Sequence, residues 1–471
     1  MRVILAGFNV ESEILEETRA RFGEAVTPEV LSASYARISR DPRSIAALRR
    51  EARGSVENAR RSNERIVFGL GHASVAEHAV LNFDLMGISR LAVEGIEHFR
   101  LASYTEKSQR YVRLGSDIVV PREVKEQGLE HEFRSLMRAL ERAYTDAYRL
   151  ITASGAPSAS AKEDARYLMP LAVATQLGMT VNARELEHMI RGLAASPLEE
   201  LRRFSARAYR ATKTLVPSLV RYPAPGAHAL DAAAARREVA SGVAGRHGRG
   251  ARKGGDVRLV ASTADADERL AASILFGSLG VSAAEARSRA RSAGRRGRGS
   301  IIAATMRRMG PHDLPWREFE TVGFLFELVV SASCFAQLKR HRIATIISQP
   351  YDPALGLTVP ETFVRARAVG LLREAAASVQ RFYRTHASSL GPAAEYALLN
   401  AHRRRVLFAA NLRELYHFSR LRSDSSAQWE IRDVSGEMCR LASQASPAGA
   451  ALLGGKDSFA RGVRSGGEGD R

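Results

Sequence analysis

Cysteine is nearly absent: Cys334 and Cys439 are the two in 471 residues. Each lies in an apolar stretch of helical character, which excludes a disulfide scaffold and offers no metal-ligand spacing. Both are expected to be buried small hydrophobes, and no metal site is expected. Long apolar runs are also missing; none approaches the ~20 residues that span a bilayer, so no transmembrane helix is expected. The opening run Val3 to Phe8 is too short for a signal-peptide core and is followed by acidic residues. It reads as a first strand, in a chain expected to stay in the cytoplasm. Acidic residues are outnumbered, 51 Asp and Glu against 70 Lys and Arg, for a formal net charge of +19. That imbalance favours anionic partners, whether nucleic acid, a membrane surface or phosphorylated small molecules, without choosing among them.

What is present is an ordinary globular composition, 45% hydrophobic and 26% charged, in a chain long enough for about two to four domains. Arginine, glycine and alanine crowd two patches, 232–255 and 294–299. The first reads as a flexible linker. The second reads as a loop inside a second globular unit, because the strand-like Val257-Arg258-Leu259-Val260-Ala261 and the apolar run 270–276 precede it. No aromatic residues are interleaved with these arginines for base stacking, so solvated connectors are favoured over a nucleic-acid contact. From Gly454 onward the chain is rich in Gly, Ser and charge, which predicts disorder. The expected organisation is therefore a first domain 1–225, a basic linker 226–255, a second domain 256–453 and a tail 454–471.

Either side of the linker one order of landmarks recurs. Arg2-Val3-Ile4-Leu5-Ala6 is echoed by Val257-Arg258-Leu259-Val260-Ala261, and the alternating run Val80 to Leu85 by Gly323 to Leu328. Each leads into a helical stretch and an arginine motif, the first ending near Arg100 and the second near Arg342. Val120-Pro121 and Val359-Pro360 then mark turns before long helices. Asn182-Ala183-Arg184-Glu185-Leu186 is matched by Asn411-Leu412-Arg413-Glu414-Leu415. Shared order over so many landmarks predicts an internal duplication of domain size.

Glu106, Ser108 and Arg110 fall at alternate positions, so an extended segment would present them on one face. An acceptor, a hydroxyl and a guanidinium together suit a phosphorylated, hydrogen-bonding ligand, although a polar surface strand would show the same pattern. Arg340 and Arg342 flank His341 at the end of an apolar helix that carries Gln337. Such a cluster suits a phosphate or an electron-rich ring; a solvated basic helix end is the commoner meaning of such residues.

Taken together these segments resemble the flavin-dependent thymidylate synthases. Ser103-Tyr104-Thr105-Glu106-Lys107-Ser108-Gln109-Arg110-Tyr111 is similar to the later part of that family's signature and Arg340-His341-Arg342 to its beginning. The resemblance extends to Gly71-His72-Ala73-Ser74 with Glu77, to Ala165-Arg166 with Pro170, and to both Asn-x-Arg-Glu-Leu segments. It is most specific at Leu421-Arg422 with Ala427-Gln428-Trp429-Glu430-Ile431-Arg432. It implies an α+β fold of two tandem synthase-like domains, each an antiparallel sheet with helices. The implied reaction is reductive methylation of dUMP to dTMP, with methylenetetrahydrofolate giving the carbon, FAD the hydride, and NADPH recharging the flavin. No cysteine nucleophile is implied.

The departures from the family pattern are complementary. The first copy has His98-Phe99-Arg100 for Arg-His-Arg, Gly95 for glutamine and Gly192-Leu193 for Leu-Arg. The second has Ser348, Pro350 and Asp352 where Glu, Ser and Arg belong, and Glu395 opposite Arg166. In the family each site draws on two subunits, so the first half is expected to give the nucleotide cradle and the second the flavin-facing wall. The resemblance then implies dUMP binding by Glu106, Ser108, Arg110, Arg166, Gln337, Arg340 and Arg422, with Arg422 and Arg340 catalytic through stabilisation of charge on the uracil. FAD would be lined by His72, Ser74, Glu77, Arg340, His341, Arg342, Asn411 and His417, with Ser426 replacing a histidine common at its position. A glutamate at 395 would repel a phosphate, so the reciprocal site is expected to be dead. Typical members are homotetramers, which implies a homodimer of this chain forming a pseudo-tetramer. The other readings are a flavin- or nucleotide-binding homologue without synthase activity and, less favoured, an RNA-binding protein using the basic linker.

Overall fold

The computed structural model describes residues 9, 12–23, 26–38, 41–108, 117–244 and 255–456. It divides into two compact units, each an antiparallel sheet with helices packed on it. In unit 1, β1 (Val80–Ser89), β2 (Ala102–Glu106) and β3 (Ala174–Asn182) lie in the order β1-β3-β2. In unit 2, β4 (Val257–Ser262), β5 (Gly323–Ser331), β6 (Thr345–Ser348) and β7 (Arg403–Asn411) lie in the order β4-β5-β7-β6. Among the described residues the same three-strand arrangement therefore occurs twice, β1-β3-β2 and β5-β7-β6, with β4 at one edge of the second. Registers agree as well: Glu106 pairs with Leu177 in unit 1 and Ser348 with Val406 in unit 2. Glu106 and Ser348 are thus equivalent positions, as the duplication predicts.

Alternation builds the sheets. Along β5 the side chains of Phe324, Phe326, Leu328 and Val330 are buried while their neighbours are partly exposed, each buried side chain contributing ~1.5–3 kcal/mol. Along β7, Val406, Phe408 and Ala410 do the same. Each central strand ends in a cap. Asn182 accepts from the Glu185 backbone N–H at 2.9 Å to start the helix Ala183–Ala194, and Asn411 accepts from that of Glu414 at 2.8 Å to start Leu412–Arg422. An asparagine followed three residues later by glutamate is a helix-start signal because its side chain satisfies an orphan N–H. Ser89 and Ser331 likewise cap the helices Arg90–Ile96 and Ala332–Leu338. Gly87, at φ +66°, takes up the bulge where β1 shifts register between Met86 and Ile88.

The units do not coincide with the halves of the sequence. Unit 1 takes in the described parts of Met1–Arg138 and Leu171–Gly250 together with Thr385–Ala397 from the second repeat. Unit 2 takes in Ala139–Pro170 from the first repeat, with the described parts of Ala251–Arg384 and Leu398–Arg471. The two repeats thus exchange segments that overlap at equivalent positions, one carrying Arg166 and the other Glu395.

Other expectations are corrected. The stretch expected as a flexible linker from 226 is helical over Ala227–Ala244, since its alanines and arginines have high helix propensity. The patch at 294–299, expected as a loop, lies in the helix Gly294–Met306, entered through Gly294 at φ +63°. Arg287 and Arg291 of the helix Ala283–Ser292 and Arg298 of Gly294–Met306 pair with the single carboxylate of Glu268, which offsets part of their charge. β2 ends at Glu106, so of the face predicted for Glu106, Ser108 and Arg110 the strand holds Glu106, and Ser108 follows it. The expected first strand at Val3 to Phe8, Arg110, and the tail from 457 lie outside the described residues. Among the described residues no helix is long and apolar enough to cross a membrane. Cys334 is buried and Cys439 partly so; burial pushes both thiols up, Cys439 to about 11.

Candidate active site

In unit 2 the two capped helices deliver the second repeat's surviving residues to one hydrogen-bonded network. The helix Ala332–Leu338 carries Gln337 and the following turn carries Arg340, His341 and Arg342, while Leu412–Arg422 ends on Arg422. Arg422 Nε donates to His341 Nε2 at 2.9 Å, and its Nη2 donates to the Gln337 carbonyl at 3.3 Å. Because His341 Nε2 accepts, its proton sits on Nδ1, which faces Glu414 Oε1 at 3.2 Å. His341 is buried and neutral: burial, then the charges of Arg422 and His417, holds it well below its ordinary 6.5. Burial raises the Glu414 carboxyl to about 7, opposed by His417. Both nitrogens of the imidazole are therefore committed inside the protein, and the ring acts to orient the Arg422 guanidinium.

Arg340 and Arg342 are exposed on either side of His341, and His417 is exposed with its ring 5.7 Å from that of His341. Asn411 is engaged as a helix cap. Gln337 is buried and donates to Gln428 Oε1 at 3.4 Å.

From Gln428 the network enters the segment that the first repeat contributes. Gln428 Nε2 donates to Tyr167 Oη at 2.9 Å, and Tyr167 donates to Glu430 Oε2 at 2.6 Å. Trp429 Nε1 donates to Asp164 at 2.9 Å, and Thr362 Oγ1 donates to the same carboxylate at 2.7 Å. Those two bonds partly offset the burial that raises the Asp164 carboxyl. Arg166, between Asp164 and Tyr167, is buried, and its carbonyl accepts from Asn400 Nδ2 at 3.0 Å. The charges of Arg422, Arg166 and Arg403 all oppose the burial that raises Cys334. Unit 2 thus brings Arg166 into the same region as Gln337, His341 and Arg422, across a repeat boundary.

Glu430 is the anchor of this arrangement. Its carboxylate accepts from the Ser331 backbone N–H at 3.0 Å, from Ser331 Oγ at 2.5 Å and from Thr358 Oγ1 at 3.2 Å besides Tyr167. Unit 1 holds the equivalent set. Glu200 accepts from the Ser89 backbone N–H at 2.9 Å, from Ser89 Oγ at 2.7 Å and from Tyr396 Oη at 2.7 Å. In both units the serine and glutamate come from one repeat and the tyrosine from the other. Sequence reading missed this pair of triads, although Ala165-Arg166-Tyr167 against Ala394-Glu395-Tyr396, and each serine preceding its helix, carried the signal.

The first repeat's candidate residues sit in unit 1. Glu106 is buried and paired with Arg90, whose position in the second repeat is Ala332. Ser108 follows β2, half-buried. His72, the residue before the 3-10 helix Ala73–His78, and Ser74 within it are exposed, and Glu77 pairs with Arg184. In place of the Arg-His-Arg wall, Phe99 packs edge-on against His188, ring centroids 5.3 Å apart. Glu185 takes the His188 Nδ1 at 3.5 Å and the Leu101 backbone N–H at 3.4 Å. The buried histidine and terminal arginine of the unit 2 network have no counterparts there.

Comparison with known proteins agrees with the duplication. The pattern of the thymidylate synthase complementing protein family matches residues 24–218 and again 258–448. A flavin-dependent thymidylate synthase of Geobacter sulfurreducens is 36% identical over 165 residues, 34% of this chain and 68% of that protein. One from Thermococcus onnurineus is 36% identical over 135 residues, and the match spans 51% of its length. A protein of Thermoplasma acidophilum whose name assigns no activity is 25% identical over 458 residues, 87% of this chain and 91% of its own. Among solved structures, a UMP/dUMP methylase of Streptomyces cacaoi bound with 5-Br dUMP is 18% identical at a TM-score of 0.34, covering 41% of this chain and 92% of that one.

Proposed function

We infer the function of this chain from its family: it belongs to the flavin-dependent thymidylate synthases, the thymidylate synthase complementing proteins, over both of its repeats. The reaction proposed is reductive methylation of dUMP to dTMP, the carbon coming from methylenetetrahydrofolate. The observation that carries this reading is the unit 2 network, where Arg166 of one repeat joins Gln337, His341 and Arg422 of the other.

The donor set fits a flavin dinucleotide. Arg340, Arg342 and His417 are exposed around a buried histidine, and such cationic, planar donors suit a pyrophosphate and an electron-rich ring. Bound FAD, recharged by NADPH, would supply the hydride; the protein would supply placement and electrostatics. Arg166 would take the nucleotide phosphate. Arg422, held on two of its nitrogens, would present a fixed cation to the uracil carbonyl as negative charge develops there, with Arg340 beside it. A preorganised donor of this kind is worth about 2.7–4 kcal/mol. His341 would serve by fixing the Arg422 guanidinium plane. Glu106, Ser108 and Arg110, and His72, Ser74 and Glu77, belong to the first repeat; their proposed parts as nucleotide and flavin contacts rest on the motif resemblance and are tested by substitution one at a time. A homodimer completing a pseudo-tetramer remains part of the proposal, and sedimentation of an active monomer would contradict it.

The test is direct. Purified protein should be yellow, and oxidation of its reduced flavin should require dUMP and methylenetetrahydrofolate and yield dTMP by mass. Flavin and dUMP binding without dTMP would instead make the chain a binding homologue. Colourless protein inert toward both would overturn the reading.

A further inference from the structure

The first repeat's damaged wall leaves a cavity of about 1040 Å³ in unit 1. Its walls occupy the positions equivalent to the Gln337, His341 and Arg422 wall of unit 2, but with different chemistry. Gly95 and Gly192 stand where glutamine and leucine would be, and the space is backfilled. A Cβ on Gly95 would come within 2.7 Å of Leu201 Cδ1, and one on Gly192 within 3.1 Å of Phe99 Cζ. Restoring side chains here would require the ends of Leu201 and Phe99 to shift. Phe99, Leu193 and Leu201 give it an apolar floor, and all three are buried.

The polar lining is mainly cationic: Arg100, Arg184 and Arg236 line it beside His98, with Glu185, which faces His188, as its one carboxylate. Burial lowers the His98 imidazole, and the charges of Arg100, Arg236 and His188 lower it further, which marks a positive field at that spot. Ala229, Ala232 and Arg236 come from the helix Ala227–Ala244, which lies between the two segments matched by the family, 24–218 and 258–448. One wall of the cavity therefore comes from a segment outside both matched regions.

We propose that this cavity is a second ligand site, specific for a small amphipathic anion: an aromatic or acyl body seated on Phe99, Leu193 and Leu201, with its sulfonate, carboxylate or phosphate at Arg100 and Arg236. The size matches a drug-sized ligand, since pockets of ~300–1,000 Å³ with apolar walls and a few convergent polar groups hold such molecules. The site is independent of dUMP turnover in unit 2 and stands or falls separately from it.

The full-length protein is titrated with 8-anilinonaphthalene-1-sulfonate and, in parallel, with its uncharged analogue N-phenyl-1-naphthylamine, following fluorescence. One site per chain is expected, with the sulfonate binding about tenfold more tightly than the neutral dye, as one charge-assisted contact provides. Arg236→Ala, at an exposed position that leaves the core intact, should remove most of that difference and leave the neutral dye unchanged. Ala232→Phe should narrow the cavity and weaken both. Equal affinity for the two dyes, or binding indifferent to both substitutions, overturns the proposal. Circular dichroism identical to the parent confirms that loss of binding is local.

Discussion

Replacing Tyr167 by phenylalanine isolates the exchange between repeats in one oxygen atom. Tyr167 Oη donates to Glu430 at 2.6 Å and accepts from Gln428 at 2.9 Å, and the residue is fully buried. Burial, with the Glu430 charge, raises its phenol well above the ordinary 10, so it remains a donor at every working pH. Its ring stacks on Trp429 at 5.9 Å, a contact that phenylalanine keeps. The substitution therefore removes a hydrogen bond to a buried carboxylate, ~1.5–3 kcal/mol, and strands one amide N–H of Gln428. Glu430 retains three other donor contacts, which limits the total to roughly 2–3 kcal/mol. With a urea slope of ~3 kcal/mol/M for a unit of this size, the unfolding midpoint should fall by about 0.7–1 M. Hydrogen exchange should place the loss in unit 2. Tyr396→Phe removes the corresponding bond to Glu200 but strands no glutamine, so its effect should be smaller. A change below about 0.5 kcal/mol for Tyr167→Phe, or a larger one for Tyr396→Phe, would refute the reasoning.

Three further outcomes are expected. His341→Phe, which installs the residue found at the equivalent Phe99, leaves Arg422 without its acceptor and should lower kcat for dTMP formation by about 10–100-fold while KM for dUMP changes less; an unchanged kcat counts against the orienting role. His402 is buried, with Nδ1 accepting from the Leu399 backbone N–H at 2.9 Å, and burial pushes it down to about 4. The unfolded chain takes up that proton near 6.5 and the folded one only near 4, so its contribution is complete above 6.5 and declines toward pH 4 by roughly 3 kcal/mol. Urea curves between pH 7 and 4 should show this slope, and His402→Gln should flatten it. Thiol alkylation under native conditions should be slow at both cysteines and leave activity intact, since burial raises both thiols; inactivation in step with modification of Cys334 would contradict a mechanism without a cysteine nucleophile.

The repeat was legible because its landmarks obey local rules. The alternating strands and the Asn-x-Arg-Glu-Leu segments each carry their structure in a few adjacent residues, and both recur in the fold. The division of Arg166 from Arg340 and Arg422 could likewise be read from which copy kept which residue. The segment exchange could not, because it depends on which surface a helix packs against after the chain has turned. The same holds for the Ser-Glu-Tyr triads, whose members are 99 and 263 residues apart for the Glu430 contacts to Ser331 and Tyr167. The helices at Ala227–Ala244 and Gly294–Met306 were misread for another reason. Glycine and arginine in runs suggest flexibility, yet alanine and arginine favour helix, and pairing of three arginines with Glu268 holds one of these regions in place.

The central claim is that the surviving residues of both repeats serve one chemistry while their damaged counterparts do not. It is tested most directly by dTMP formation in four single variants of the full chain: Arg166→Ala and Arg422→Ala, and at the equivalent positions Glu395→Ala and Leu193→Ala. The first two should each lose about 100-fold or more of kcat/KM, the worth of a positioned cation at the phosphate or the uracil. The second two should stay within about threefold of the parent, within the range of ordinary surface or packing effects. Activity indifferent to Arg166→Ala, or as sensitive to Glu395→Ala as to Arg166→Ala, would contradict it.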